Sequence, residues 1–399
     1  MATVQPHVAA AVARPVLVLG MGATGASCAR HFAARGTPAW FADTRAAPPG
    51  LEAIRRAMPA AGLLPGAMPD TVPPGVESIV VSPGVDLGLP VLADAHRRGI
   101  RVRGDLDLFA ACCAAPLLGI TGSNGKSTVT TMVGLMLRAC GWPVAVGANL
   151  GTPALDLLDA GIKAYVLELS SFQLERSAAL ELAAAVVLNL APDHLDTHGD
   201  MAAYAAAKAR IYARCRVAVV NRDEPGLAAM VPAGTHRLSF GLGEPGAGQF
   251  GLLAGAGGEW LALGTQRLLP VSALGTSGRH NIANALAALA LVHALEADLE
   301  LAAAALREFR GLPHRMQLVA ENDGLRWVDD SKATNVAAAV TAIGGVEGPL
   351  VLIAGGDGKG QSFEALAAAL RLRAATAILI GRDRGQMAAA LDGACAVEL

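Results

Sequence analysis

Twice in its first 140 residues the chain runs an apolar, strand-like segment into a glycine-rich turn and then into a helix-like segment. That pattern restricts the fold to α/β sheets whose ligand-binding turns lie at the carboxyl ends of strands. The first instance is Val16-Leu17-Val18-Leu19, then Gly20-Met21-Gly22-Ala23-Thr24-Gly25, then an Ala-rich helix to about Arg35 and a strand from Ala39 to Ala42 ending in Asp43. This is G-x-G-x-x-G in a βαβ unit with an acid 18 residues past the last glycine. The glycines permit a tight turn and let a pyrophosphate approach the helix N-terminus, where unpaired N–H groups favour an anion. Any Rossmann-like nucleotide binder carries the same signature. A strand Ile79-Val80-Val81 running into Ser82-Pro83-Gly84 completes this unit.

The second instance carries more chemistry. A strand from Leu117 to Ile120 leads into Thr121-Gly122-Ser123-Asn124-Gly125-Lys126-Ser127-Thr128 and then a helix with Val129, Met132, Val133, Met136 and Leu137 at helical spacing. This is a P-loop with one departure: the strict pattern puts its first glycine at position 120, where Ile120 stands. Gly125-Lys126-Ser127 is intact, so backbone N–H groups can wrap a phosphate, Lys126 can reach the terminal phosphates, and Ser127 can ligate Mg2+.

Composition sets the compartment and the partners. The chain has 399 residues, 53% hydrophobic and 17% charged, with a net charge of −2. Single cores stop growing at about 250–300 residues, so two or three domains are expected. Much of the apolar content is Ala, and the charge-free stretch Leu108 to Gly125 is broken by Pro116, so no membrane-spanning helix is expected. No secretory signal precedes Val16, the cysteines (28, 112, 113, 140, 215, 395) form no CxxC pair, and there is no basic footprint for nucleic acid. A cytoplasmic protein acting on small molecules, as a monomer, with neither nucleic acid nor membrane as partner, is the expectation.

Among 32 basic residues only five are lysines: Lys126, Lys163, Lys208, Lys332 and Lys359. Where only a solvated positive charge is needed this chain uses Arg, so a retained Lys marks a place for a compact or titratable amine.

Further strands end in polar residues. Tyr165 to Leu169, containing Glu168, is followed by Ser170-Ser171-Phe172-Gln173, and Ala185 to Asn189 by Pro192-Asp193-His194-Leu195-Asp196. Lys126, Glu168 and His194 are therefore expected to converge, with Glu168 placed to hold Mg2+. Asp193, Asp196 and Asp200 read equally well as caps of a helix starting near Met201. That helix sets Tyr204, Lys208, Ile211 and Tyr212 along one side. An inward Lys208 beside a magnesium site is neutral, paired to phosphate, or converted to a carbamate. Residues 241–264 are Gly-rich and predict a small β excursion, and Gly278-Arg279-His280-Asn281-Ile282-Ala283-Asn284 opens a long helix, its polar residues capping it or touching a base. Past Gly311 a third unit alternates strand and helix: Leu325 to Val328, then Asp329 to Asn335; Leu350 to Ala354, then Gly355-Gly356-Asp357-Gly358-Lys359; and Ala377 to Ile380.

Taken in order, the segments 121–128, Glu168-Leu169-Ser170-Ser171-Phe172-Gln173-Leu174-Glu175, Asp193-His194, Lys208, His280-Asn281, Pro313-His314-Arg315, Asp330-Ser331-Lys332-Ala333-Thr334-Asn335 and 355–359 resemble the Mur ligase family. The resemblance implies an α/β fold of three domains: an N-terminal Rossmann-like UDP-substrate domain (1–110), a central P-loop ATPase with a parallel sheet (111–311), and a C-terminal Rossmann-like amino-acid-binding domain (312–399). It implies that Gly22, Ala23, Thr24, Gly25, Asp43, Thr44, Arg45, Ser82, Pro83, Gly84 and Asn149 hold the UDP substrate. ATP is implied at Gly122, Ser123, Asn124, Gly125, Lys126, Ser127, Thr128, His280, Asn281, Asn284, Arg315, Asp330 and Lys332. Two Mg2+ ions are implied, one at Ser127 and Glu168, the other at His194 and Lys208, the latter as its carbamate. Lys126, His194 and Lys208 are the implied catalytic residues, and Thr334 and Lys359 are to meet the incoming amino acid.

The implied reaction is ATP-dependent addition of D-glutamate to UDP-N-acetylmuramoyl-L-alanine through an acyl phosphate, a step of peptidoglycan precursor synthesis. Family members continue past the strand near Cys395 to Leu399 with a segment that contacts the D-glutamate side chain, so the third domain is expected to be incomplete. The alternatives are a relative adding L-glutamate and a truncated nucleotide-binding protein with little turnover.

Overall fold

The computed structural model describes residues 15–399 apart from 179 and 256. The chain divides into two compact units. The first comprises the described residues up to Ala114 with Gly147–Ala160 and Phe172–Leu180; the second comprises Ala115–Val146, Gly161–Ser171 and Glu181–Leu399.

In the first unit five strands, β1 (Val16–Leu19), β2 (Ala39–Asp43), β3 (Gly62–Pro65), β4 (Ser78–Val81) and β5 (Arg101–Arg103), form a sheet of order β3-β2-β1-β4-β5. All its pairings are parallel. Every β1 residue is buried, as a strand covered on both faces requires. The order reverses between β1 and β4, so the turn after β1 opens into the crevice where such sheets bind ligands. Leu17, Leu19, Ile79, Val81 and Val91 form its core.

The second unit contains, save for the last two residues of β7, β6 (Leu117–Thr121), β7 (Val144–Ala148), β8 (Ala164–Glu168), β9 (Leu182–Val187), β10 (Cys215–Asn221), β11 (His236–Phe240), β12 (Gln249–Gly255), β13 (Gly258–Leu263) and β14 (Gln266–Pro270). Their order is β14-β13-β12-β11-β10-β9-β6-β8-β7. The pairings β6–β8, β6–β9, β9–β10, β10–β11 and β11–β12 are parallel. β12, β13 and β14 continue the sheet antiparallel, which is the Gly-rich excursion expected at 241–264. β6, β8 and β9 are buried throughout. The helix Arg279–His293 opens with a polar first turn and then runs apolar all round, with eight successive residues, Ala285–Val292, showing no exposure. It packs with the helix Lys126–Ala139 in the main core, alongside Ile120, Val129, Met132 and Val133.

The carboxyl-terminal third departs from expectation at its first strand. The sequence reading makes Leu325 to Val328 the opening strand of a parallel α/β unit. Instead β16 (Leu325–Asp329) pairs antiparallel with β15 (Gln317–Asn322) in a separate two-stranded sheet. The cause is local: Asp323 and Gly324 have φ of 50° and 76°, the paired left-handed geometry of a two-residue hairpin turn, and Asn322 faces Leu325 across it. Three parallel strands follow, β17 (Leu350–Gly355), β18 (Ala375–Ile380) and β19 (Ala396–Glu398). They pack on the helices Val336–Gly344, Glu364–Arg371 and Arg384–Leu391 through Ile343, Leu366, Leu370, Leu379 and Leu391.

Candidate functional site

The P-loop lies between β6 and its helix. Gly122 (φ 151°) and Gly125 (φ 82°) take backbone conformations that side chains disfavour. A Cβ on Gly125 would stand 2.6 Å from Asn284 Oδ1, so that glycine is required by space as well as by conformation. Ile120, which breaks the strict motif, is the fourth residue of β6 and is fully buried in the core. The loop turns at Gly122 instead.

Two lysines enter this loop from different helices. Lys126 Nζ donates to the carbonyls of Gly122 and Ser123, each at 2.9 Å. Lys208 Nζ donates to the same Gly122 carbonyl at 2.9 Å, lies 3.4 Å from Thr121 Oγ1, and sits 4.5 Å above the Tyr204 ring. Burial holds the Lys126 ammonium below its ordinary value, against the opposing fields of Glu168 and Asp193. Lys208 is 1% exposed, and burial followed by repulsion from Lys126 pushes its amine well below the ordinary lysine range. Its helix, Met201–Ala209, is capped by Asp200, whose carboxylate accepts from the Ala203 N–H at 2.8 Å. Tyr204 shares a hydrogen bond with Ser123 Oγ at 3.2 Å, and burial raises its phenol to about 12.

The capping role that three aspartates contended for belongs to Asp200, and this frees Asp193. Asp193 is buried, and its Oδ1 lies 3.2 Å from Lys359 Nζ and accepts the His194 N–H at 3.0 Å. His194 takes a left-handed φ of 54°; burial holds its imidazole below the ordinary value against the opposing field of Asp193, whose Oδ2 lies 3.7 Å from Nε2, and the field of Lys359 acts with burial. His194 therefore stands neutral near neutral pH, able to offer a lone pair. Glu168, at the end of β8, is 3% exposed. Ser127 is buried, and its Oγ accepts from Arg315 Nη2 at 3.0 Å.

Beside the loop lies a cavity of about 360 Å³, walled by Leu188, Phe240 and Leu242 and by Leu312 and Met316. His280, Asn281, Asn284, Arg315 and Asp330 also line it, so the polar residues from positions 280–284 and those beyond position 311 meet there. Asp330 accepts the Met316 N–H at 3.0 Å, and burial raises its carboxyl. Lys332 and Thr334 are exposed and are not among the lining residues. Two asparagines that the sequence reading gave no role join the loop: Asn189, which brackets the Asn124 backbone, and Asn335, whose amide faces that of Asn124. The Asn335 signal was its place at the start of a helix after Asp330-Ser331-Lys332; Asn189 had only its position at a strand end.

The first unit presents a second, separate constellation. Gly20 has φ of 99°, and a Cβ on Gly25 would stand 2.3 Å from the Gly20 carbonyl oxygen. Asp43, at the end of β2, accepts from the Met21 N–H at 2.8 Å and from the Arg45 guanidinium at 2.8 and 2.7 Å. Those hydrogen bonds hold its carboxyl well below the usual range. Ser82 Oγ reaches the Gly20 carbonyl at 3.4 Å. The helix Ala23–Ala33 starts at Gly22 with no side-chain cap, leaving the first-turn amides of Ala23, Thr24 and Gly25 to an anion. Thr44, Gly84 and Asn149 are exposed, Pro83 partly so, and Asn149 belongs to this unit by its contacts.

Comparison with known proteins matches three family domains in order: a Mur ligase MurD-like N-terminal domain at residues 14–104, a Mur ligase middle domain at 120–292, and a Mur ligase glutamate ligase domain at 314–398. The chain is 50% identical over 370 residues to the UDP-N-acetylmuramoylalanine--D-glutamate ligase of Methylococcus capsulatus, covering 92% of this chain and 80% of that protein. It is 49% identical over 382 residues to the enzyme of the same name from Methylobacillus flagellatus, covering 95% and 84%. Among solved structures, a pseudomurein peptide ligase type C from Methanothermus fervidus superposes with a TM-score of 0.61 at 18% identity, covering 96% of this chain and 88% of that one. A UDP-N-acetylmuramate-alanine ligase from Thermotoga maritima gives 0.58 at 18% identity, covering 96% and 90%. These two likenesses bear on the fold alone, whereas the domain matches and the near-half identity along the chain establish descent: the chain belongs to the Mur ligase family.

Proposed function

We propose that this chain joins D-glutamate to UDP-N-acetylmuramoyl-L-alanine at the expense of ATP, in peptidoglycan precursor synthesis. The reading rests on the relatives named above, and within the molecule on one observation: Lys126 and Lys208 both donate to the Gly122 carbonyl inside a P-loop. Lys126 supplies the loop's charge for a phosphate anion, while the fully buried Lys208 beside it has an amine depressed enough to react with CO2. A carboxylate is a poor acceptor for an amine, so its oxygen first attacks the γ-phosphorus of ATP and ADP leaves. The glutamate nitrogen then attacks the acyl carbon, phosphate departs, and the nitrogen loses its proton. Lys126 would offset the charge of two anions meeting, and Arg315 would neutralise the nucleotide phosphates from the far side. Exclusion of water from a hydrolysable acyl phosphate falls to the carboxyl-terminal domain, whose Lys359 and Thr334 are read as the amino-acid side of the site. In this reading residues 1–110 hold the UDP substrate, 111–311 the ATP and 312–399 the amino acid.

The donor set fits Mg2+. No three His, Cys, Asp or Glu side chains converge as a metal cage among the described residues. Mg2+ does not ask for one, since it is held by one or two carboxylates, substrate phosphates and water. Buried Glu168 with the Ser127 hydroxyl suits one ion; neutral His194 with an anionic Lys208 suits a second. The bound ions supply charge neutralisation at the phosphoryl oxygens. The depressed Lys208 amine supports a carbamate: its nitrogen adds to the carbon of CO2 and releases one proton, giving N–COO−. No described helix is long and apolar enough to cross a membrane. In this reading the protein acts in the cytoplasm as a monomer.

The test is phosphate release from ATP with UDP-N-acetylmuramoyl-L-alanine and either D- or L-glutamate. Release that depends on the D-isomer supports the reading; no release with either overturns it.

A further inference from the structure

A network of polar contacts joins the P-loop to the segment bearing Lys359, and Asn335 sits at its centre. The Asn335 side chain is 6% exposed. Its Oδ1 caps the helix Val336–Gly344 by accepting the Ala338 N–H at 2.9 Å. The same amide pairs with Asn124: Asn335 Nδ2 donates to Asn124 Oδ1 at 3.0 Å, and Asn124 Nδ2 donates back to Asn335 Oδ1 at 3.3 Å. Asn335 Nδ2 also lies 3.5 Å from Asp193 Oδ2, and Asp193 holds Lys359 at 3.2 Å.

Both ends of the network are anchored. On the P-loop side, Asn189 brackets the Asn124 backbone, accepting its N–H at 2.8 Å and donating to its carbonyl at 3.1 Å. On the other side, buried Gln361 accepts the Val336 N–H at 3.0 Å, tying the start of the helix to the loop that carries Lys359. Lys359 itself takes a left-handed φ of 50°. A helix cap needs only the Asn335 oxygen; the inward-turned nitrogen is what the cap does not explain.

We propose that Asn335 is a positioning residue that couples the seating of the P-loop to the placement of Lys359, so that phosphate binding and amino-acid binding reinforce one another through the Asn124–Asn335 amide pair. When the P-loop closes on phosphates, Asn124 moves with its backbone and draws the start of the helix 336–344 with it. Gln361 passes that seating to the Lys359 loop. The coupling is reciprocal, so the amino acid tightens the P-loop by the same factor. The naming of D-glutamate as the coupled ligand rests on the ligase reading; the coupling itself does not.

Serine at 335 keeps a capping oxygen and cannot reach Asn124. Asn335→Ser is therefore expected to raise KM for D-glutamate at saturating ATP, and KM for ATP at saturating D-glutamate, by the same factor of about ten, and to leave ATP binding in the absence of the amino acid within about twofold. Ligand-free hydrogen exchange should quicken at 122–126 and 356–361 and stay unchanged along 336–344. Asn124→Ser should likewise raise KM for D-glutamate and quicken exchange at the two loops, and the double variant should be no worse for D-glutamate than the worse single. Unchanged exchange at the two loops, additive losses in the double variant, or fraying of 336–344 alone would overturn the proposal. If the wild-type chain releases no phosphate, the ligase reading falls, and the exchange measurements still decide the coupling.

Discussion

Lys126 and Lys208 donate to one and the same acceptor, the Gly122 carbonyl oxygen, at 2.9 Å each. The two amines crowd one carbonyl, with Glu168 and Asp193 as the carboxylates in their field, and burial followed by repulsion from Lys126 pushes the Lys208 amine toward the neutral form that can add to CO2. Lys208→Ala is expected to abolish ligase activity, with phosphate release falling at least about a hundredfold, the scale of one lost electrostatic contact at a reacting centre. Wild-type activity in that variant would dismiss the carbamate, as would the absence of a carbamate carbon signal in labelled bicarbonate.

The same burial has a pH signature. A lysine whose folded value lies below its unfolded value of 10.5 destabilises the protein while it must carry a proton, and this penalty fades as pH rises through the gap toward 10.5. Thermal unfolding of Lys208→Met should therefore gain on wild type as pH falls from alkaline toward neutral. A constant difference in Tm across that range would show that Lys208 is not desolvated in the ligand-free protein.

Asp43 works in the opposite sense. Its carboxyl is depressed by Arg45 and by the Met21 N–H, so its stabilisation is full above the unfolded value of 3.8 and lost as pH falls through the lower folded value. The Arg45 guanidinium is 55% exposed, so screening discounts the effect. Asp43→Asn should lower Tm at neutral pH, with the difference closing under strong acid, and should weaken binding of the UDP substrate.

Gly125→Ala places a methyl 2.6 Å from Asn284 Oδ1 and a side chain at φ 82°. A loss of about 1–2 kcal/mol in stability is expected from the backbone alone. Titration calorimetry should find ATP binding lost, because Asn284 has to move out of the nucleotide cavity.

Lys163 is exposed. Lys163→Arg should change stability by less than about 0.5 kcal/mol and leave kcat/KM unaltered. Of the five lysines it is the control for the other four.

What the sequence made legible was local. The strand, glycine and helix around Lys126 are adjacent in the chain, so their chemistry could be read directly. The inward side of the helix carrying Lys208 was equally plain from spacing, although that helix ends at Ala209 and Ile211 and Tyr212 lie on the 3-10 turn Arg210–Tyr212 that follows; Tyr204, Lys208, Ile211 and Tyr212 are all buried. Asp193 was obscured because three aspartates stood within eight residues and only geometry could give the cap to Asp200. The Asn124–Asn335 pair spans 211 positions, beyond the reach of any pattern along the chain. The hairpin at 317–329 was missed for a different reason: Asp323-Gly324 is a strong turn signal, but the apolar run after it read as one more strand of the alternating unit.

Ile120 carries a consequence for how such loops are recognised. Its side chain lies wholly inside the core that β6 shares with Val129 and Val133, while the chain bends two residues later. Restoring the textual motif with Ile120→Gly would empty that volume and cost several kcal/mol, roughly the range for deleting a large core side chain. The loop's ancestry is thus better traced by where the chain turns and what the preceding strand must fill than by the letters of its signature.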